Sequence, residues 1–117
     1  MPDIDRSEPY AGIMHLAVAH GDTIYLAGIV ADDLGADMEG QTRDVLRQLD
    51  EFAKGQGLDR TRVLSATIYV TDMADKPPMN RAWQAFFDPA HLPTRATIGV
   101  ADLGPGVRLE MVAVLGR

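Results

Sequence analysis

Two residues near the carboxyl end of this 117-residue chain carry the chemistry of a proton-transfer site. Arg95 lies in Leu92-Pro93-Thr94-Arg95-Ala96-Thr97-Ile98, and Glu110 follows 15 positions later inside the apolar run 107–115. Strand side chains alternate between faces, so Glu110 shares a face with Val112 and Val114, and an apolar setting is expected to raise a carboxyl pKa toward neutrality. A carboxyl tuned in this way exchanges protons with a substrate. An arginine presents a planar fork of donors that grips a carboxylate through two parallel hydrogen bonds. The pair therefore points to an anionic substrate and a proton-transfer step. The same residues could also form a partly buried structural ion pair, because such pairs perturb pKa values too. Taken alone, Arg95 and Glu110 favour the structural pair, and other residues must decide.

Two further positions are ambiguous in the same way. Asn80, near the start of a helix, is read either as a cap or as an amide that orients a strand or ligand. Gly28, in Leu26-Ala27-Gly28-Ile29, weakens a strand unless it marks a bulge or a backbone that a ligand approaches. Other chemistries lack their residues. The chain has no cysteine, which excludes disulfides, thiolate zinc sites and a cysteine nucleophile. His15, His20 and His91 show no metal-ligand spacing. Ser7 and Ser65 have no recognisable histidine or acidic partner. Gly104-Pro105-Gly106 reads as a tight turn, because a phosphate loop would need a lysine and a following helix. Trp83, Phe86 and Phe87 share the apolar face of a helix and read as core.

The elements that must position these residues follow from periodicity. Residues 14–20 and 23–30 alternate as strands around Gly21-Asp22 and predict a hairpin. Val45, Leu46, Leu49, Phe52 and Ala53 recur at helical spacing and predict a helix over 39–54, closed by Gly55 and Gly57. The β-branched and aromatic stretch 62–71 predicts a central strand. Pro77-Pro78 opens a second helix that Asp88-Pro89 ends. Strands 95–101 and 107–115, joined at Gly104-Pro105-Gly106, complete a ββαβαββ order. This is an α+β arrangement with two helices on one face of a mixed sheet, forming one domain over residues 1–117. Val18, Val63, Ile98, Val100, Val112 and Val114 make several strands apolar on both faces. A chain this short cannot cover both, which predicts a homo-oligomer.

Composition bounds the partners. With 46% hydrophobic and 24% charged residues the chain belongs to the globular class. The formal net charge of −6, with scattered Lys and Arg, disfavours nucleic-acid binding. Arg43 and Arg47, and Arg60 with Arg62, are offset by Asp44, Asp50, Glu51 and Asp59. The amino-terminal stretch 1–6 has no basic flank or apolar core, so no signal peptide is expected. No run is long enough to cross a membrane, and a cytoplasmic location is the expectation.

In their order and spacing these residues resemble the Rid family, the reactive-intermediate deaminases also called YjgF or L-PSP endoribonuclease proteins. The resemblance rests on Ala17-Val18, Gly21-Asp22, Tyr25-Leu26-Ala27-Gly28, Gln41-Thr42, Thr71-Asp72-Met73, Met79-Asn80, Phe87, Leu92-Pro93-Thr94-Arg95 and Glu110, and covers nearly the whole chain from Met14 to Leu115. It implies a chorismate-mutase-like fold, a homotrimer whose sheets face a central barrel, and three clefts between subunits. It implies hydrolysis of 2-enamine or 2-imino acids to 2-oxo acids and ammonia, without metal or organic cofactor. Arg95 then grips the substrate carboxylate, Glu110 activates water and shuttles protons, Gly28 lines the cleft with its backbone, and Asn80 lies near it. With the resemblance, the functional reading of Arg95 and Glu110 overtakes the structural one.

The departures from the family pattern imply a changed pocket. Family deaminases usually carry a tyrosine and a serine just before the first Ala-Val pair, where this chain has Met14-His15-Leu16. A serine often precedes the cleft glycine, here Ala27, and a cysteine often stands two residues after the arginine, here Thr97. Thr97 still offers a hydroxyl and a backbone amide, but Met14 and Ala27 make the pocket more apolar, and a bulkier substrate is expected. The alternative is a non-catalytic protein of the same type that binds a small carboxylate metabolite in the inter-subunit cleft. A ribonuclease reading conflicts with the acidic charge.

Overall fold

The computed structural model describes residues 3–117; Met1 and Pro2, the first residues of the stretch read above as lacking a leader, lie outside them. Three short strands come first, β1 (Ile4–Arg6), β2 (Pro9–Tyr10) and β3 (Met14–His15). The ββαβαββ series then follows as β4 (Ala17–His20), β5 (Thr23–Leu26), α1 (Met38–Gly55), β6 (Val63–Val70), α2 (Lys76–Phe86), β7 (Thr94–Gly99) and β8 (Leu109–Gly116). Six strands form one mixed sheet in the order β1-β4-β5-β8-β6-β7, in which only β6 and β7 run parallel. The expected α+β architecture, two helices on one face of a mixed sheet, is the one observed.

The differences lie at the amino-terminal side. The predicted strand 14–20 is cut at Leu16, because Met14 and His15 turn back to pair with Tyr10 and Pro9 in a separate two-stranded ladder. The predicted strand 23–30 stops at Leu26. Strand β1 was not foreseen: it is exposed along its length and has a single apolar residue, Ile4, so it carries no periodic signal and is held by backbone pairing to β4.

Local chemistry explains the helices. Asp37 caps α1 by accepting from the Gly40 N–H at 2.8 Å, and Glu39 and Lys54 sit at the ends that favour their charges. Beyond the helix, Gly57 has a φ of 74°, and its N–H bonds the Lys54 carbonyl at 3.0 Å. In α2, Pro77 and Pro78 occupy the first turn, where no backbone N–H is needed. Val45, Leu46, Leu49 and Ala53 of α1 and Met79 and Trp83 of α2 bury against one face of the sheet.

The sheet side of that core follows strict alternation. Ala66, Ile68 and Val70 of β6 and Leu109, Met111, Ala113 and Leu115 of β8 are buried beneath the helices. Their alternate neighbours, Thr67, Tyr69, Glu110, Val112 and Val114, point to the other face, and none is buried. Val18 lies opposite Tyr25, and Tyr25 opposite Val114, extending this bare surface across the sheet. Tyr25 is 53% exposed and Ile98 44%, so a partly apolar face lies uncovered, as the two-sided strand pattern implied.

One buried side chain ties the loops at the helix-bearing end. Gln41 is fully buried; its Nε2 donates to the carbonyls of Leu34, Ala36 and Gly106 at 3.3, 3.1 and 3.0 Å, and its Oε1 accepts from the Arg108 N–H at 3.0 Å. Two loops distant in sequence are thereby fastened to α1 just before β8 begins. Replacing Gln41 by the nearly isosteric Met leaves those polar groups without partners and is expected to destabilise the fold by about 2 kcal/mol. Urea unfolding measures this, and a loss below about 0.5 kcal/mol, within the range of ordinary surface changes, would contradict the assignment.

Candidate functional site

Glu110 lies on the bare face of the sheet, opposite Tyr69 in the β6–β8 register and between half-exposed neighbours. Its setting is created by a break in the adjacent strand. Tyr25 is opposite Val114 and Ile29 opposite Met111, so four steps along the β5 side match three along β8. The extra residue makes a bulge between Leu26 and Ile29, and paired bonds of 2.8 and 3.0 Å between Ile29 and Met111 restore the ladder beyond it. Gly28 sits in this bulge. A Cβ built on it would lie 2.1 Å from Glu110 Oε2 and 2.9 Å from Cδ, so the carboxylate occupies the space that any other residue would fill. Of the two readings of Gly28, the bulge is observed, and the group that approaches it closely is the Glu110 carboxylate of the same chain.

A cavity of about 530 Å³ opens here, and it gathers Met14, Ala27, Gly28 and Glu110 from the residues singled out in the sequence. Leu16, Leu26, Ile29 and Phe52 give it apolar walls. The Glu110 carboxylate makes no hydrogen bond or ion pair with any described residue.

Arg95 and Thr97 are elsewhere. Arg95 is opposite Ala66 and Thr97 opposite Ile68, both buried beneath the helices, so these two side chains of β7 point to the helix-bearing face. Arg95 and Glu110 therefore project from opposite faces of the sheet, and the structural ion pair that the sequence allowed does not form. The Arg95 guanidinium instead lies 5.0 Å from the centroid of the Trp83 ring. Burial lowers its pKa from the ordinary value, and no described carboxylate offsets that cost. Arg60 makes an instructive contrast. It also lies over an aromatic ring, 3.9 Å from the Phe86 centroid, but it donates to the Phe86 carbonyl at 2.7 Å and to Asp50 at 3.1 Å. Arg60 is a satisfied structural arginine, whereas Arg95 is half-buried and uncommitted.

Asn80 falls one turn before Trp83, on the same side of α2. It does not cap the helix: it is the fifth helical residue, and Asp75 holds the N-cap position. Its Oδ1 is buried without a hydrogen-bond partner among the described residues, an acceptor left open beside the Arg95 side of the structure.

The candidate residues thus fall into two separate groups. One holds an uncommitted carboxylate in an apolar cavity; the other holds an uncommitted guanidinium with Thr97 and Asn80 on its side of the sheet. Sequence reading missed Trp83 as the platform for Arg95 and Phe52 as a cavity wall. Both sit at core-like helical spacing, and nothing in that spacing distinguishes the margin of a core from the wall of a site. A further groove of about 300 Å³ between the helices is lined by Arg43, Arg47, Arg60 and Asp50. Each of these is already engaged in an ion pair, so that groove offers no free charged group.

The chain is similar to known proteins over most of its length. The profile of the family described as Endoribonuclease L-PSP matches residues 4–115. The RutC family protein YoaB of Escherichia coli is 35% identical over 97 residues, covering 83% of this chain and 84% of its own. The 2-iminobutanoate/2-iminopropanoate deaminase of Rattus norvegicus is 29% identical over 109 residues, 88% of this chain and 79% of its own. A member of the YjgF protein family from Neisseria meningitidis superposes with a TM-score of 0.90 at 31% identity, covering 98% of this chain and 95% of its own.

The close approach at the bulge yields a sharp test. Gly28→Ala must displace the Glu110 carboxylate, which is the far end of a flexible side chain, so the fold should lose no more than about 1 kcal/mol, or about 4 °C in melting temperature. A crystal structure of the variant should show Glu110 in a new rotamer. An unmoved carboxylate, or outright unfolding, would contradict the geometry described.

Proposed function

The chain belongs to the endoribonuclease L-PSP family, that of the Rid and YjgF proteins, and from that premise we propose that it hydrolyses 2-imino or 2-enamino acids to 2-oxo acids and ammonia in a cleft formed between copies of the chain. The observation that carries this reading is the pair of half-sites. A carboxylate-binding guanidinium and a proton-transferring carboxylate are both uncommitted, yet they project from opposite faces of one sheet. A ligand can touch both only where one copy presents Arg95 and its neighbour presents Glu110. The bare apolar face supports the same assembly, a homotrimer with these faces turned inward. The rat relative is named as a deaminase of 2-imino acids, which supports the reaction class.

In this mechanism the substrate carboxylate takes two hydrogen bonds from Arg95, whose burial without a counter-ion leaves it ready for an anion. Thr97, two residues on along the same face of β7, adds a hydroxyl. Asn80 Oδ1 accepts from a donor that arrives with the ligand or the neighbouring copy. Glu110 removes a proton from water as its oxygen attacks C2 of the imine and returns that proton to nitrogen. The carboxylate then takes the proton of the new C2 hydroxyl and passes it to nitrogen as C2=O forms and the C2–N bond breaks, leaving a 2-oxo acid and ammonia. An enamine first gains a proton at C3 to give the same imine. Gly28 keeps the backbone clear of the carboxylate and of the reacting atoms. A second reading, a carboxylate-binding protein without turnover, draws on Met14 and Ala27, which give the cavity no hydroxyl at either position.

Ammonia release from imino acids generated in situ by an amino-acid oxidase tests the proposal. Glu110→Gln should lower kcat by about 100-fold or more, the usual worth of a positioned acid–base group, while 2-oxo acid binding persists. Arg95→Ala should raise KM by about 10- to 100-fold, as expected for losing a charge-assisted pair. Turnover unchanged in Glu110→Gln would rule out the catalytic role. Light scattering should give three times the chain mass, and a monomeric protein with full activity would contradict the shared cleft.

A further inference from the structure

One wall of the Glu110 cavity belongs to the small ladder of β2 and β3. Register places Tyr10 directly opposite Met14, and both line the cavity. The turn between them closes with the Ile13 N–H bonded to the Tyr10 carbonyl at 3.1 Å. Its central residues, Ala11 and Gly12, have φ of 53° and 69°. Alanine in this region costs about 1 kcal/mol, but these angles give a short hairpin the twist its strands need. The base of the ladder is clamped: Ser7 N–H donates to the Ala17 carbonyl at 3.0 Å, Ala17 N–H to Ser7 Oγ at 2.8 Å, and His15 Nδ1 to the Ser7 carbonyl at 2.6 Å. Beyond the clamp the side chains are open, with Tyr10 55% and Ile13 79% exposed.

The polar groups lining the cavity are unequal. Gln48 spends its amide on the Val30 carbonyl at 2.9 Å, and the Asp32 carboxylate pairs with Arg47 at 3.1 Å. The Tyr10 hydroxyl, like Glu110, has no hydrogen-bond partner among the described residues. The cavity therefore holds one free carboxylate and one free phenol, and the phenol rides on an arm anchored at a single end.

We infer that Tyr10 is a specificity-determining residue that contacts the ligand: its ring closes the apolar cavity over the ligand side chain, and its hydroxyl bonds the polar head that Glu110 faces. The space between this arm and Leu16, Leu26, Ile29 and Phe52 suits an aromatic or branched side chain rather than a methyl group. The ligand class is a 2-imino or 2-oxo acid with a bulky apolar side chain. The identity of the head group rests on the function proposed above, whereas the side-chain preference does not.

Calorimetric binding of phenylpyruvate and pyruvate to the full-length protein, run beside the oxidase-coupled ammonia assay on phenylalanine and alanine, tests this. Tyr10→Ala should weaken phenylpyruvate binding, or raise KM for the aromatic imine, by about tenfold while changing the small ligand less than twofold. Tyr10→Phe should keep the size preference and weaken both ligands about three- to tenfold. Light scattering of Tyr10→Ala should give the wild-type mass. Tyr10-dependent binding without hydrolysis would end the deaminase reading and leave this inference standing. Hydrolysis that Tyr10→Ala leaves unchanged for both imines would do the reverse. A wild type that neither binds phenylpyruvate nor turns over its imine, an equal loss for both ligands in Tyr10→Ala, or a change of assembly mass would each overturn the inference.

Discussion

With two helices this chain can cover only one face of its six-stranded sheet, and the rest of its organisation depends on that constraint. Alternation along β6 and β8 sends one set of side chains into the core and the next set onto a surface that no described helix covers. On the covered side the residues are small or aliphatic and fully buried. On the bare side valines and tyrosines alternate with a single carboxylate. In the single chain this leaves a partly apolar sheet face open to water, with Tyr25 and Ile98 among its exposed residues.

The same alternation separates Arg95 from Glu110. They lie on strands that flank β6 on either side, at register positions three residues apart, and an odd separation places them on opposite faces. Within one chain they cannot neutralise each other. The consequence is energetic as well as geometric, because a half-buried guanidinium without a counter-ion is costly unless something anionic comes to it. Arg60, ringed by a carbonyl and a carboxylate, shows how the same residue type is satisfied when its role is structural.

Around Glu110 the fold uses local irregularity. One extra residue in the strand beside β8 creates the bulge, Gly28 leaves the space, and the carboxylate fills it. Gln41 holds the loops that lead into β8 and so fixes where that strand begins. Glu110 is placed by backbone features on both sides, and its carboxylate has no hydrogen-bond partner among the described residues.

Much of this was legible in the residues. The period-2 and period-3.6 patterns, with the β-branched content of β6, gave the seven central elements in order, because most of them bury one face and their apolar residues must recur at the spacing of that face. The Pro pair, the terminal glycines and Gly21-Asp22 marked boundaries for reasons of backbone geometry. Arg95, Glu110 and Gly28 were recognisable as residues with unusual chemistry for their setting. Strand β1 was not legible, since an exposed edge strand is held by backbone bonds that leave no side-chain pattern. Nor was the position of Tyr10 in the cavity wall, which depends on a register of two residue pairs. Which candidates meet in space was decided by tertiary structure alone. Sequence spacing states which face of its own strand a residue occupies, but only strand order and register state which faces coincide, and these put Met14, Ala27, Gly28 and Glu110 in one cavity and Arg95, Thr97 and Asn80 on the other side of the sheet.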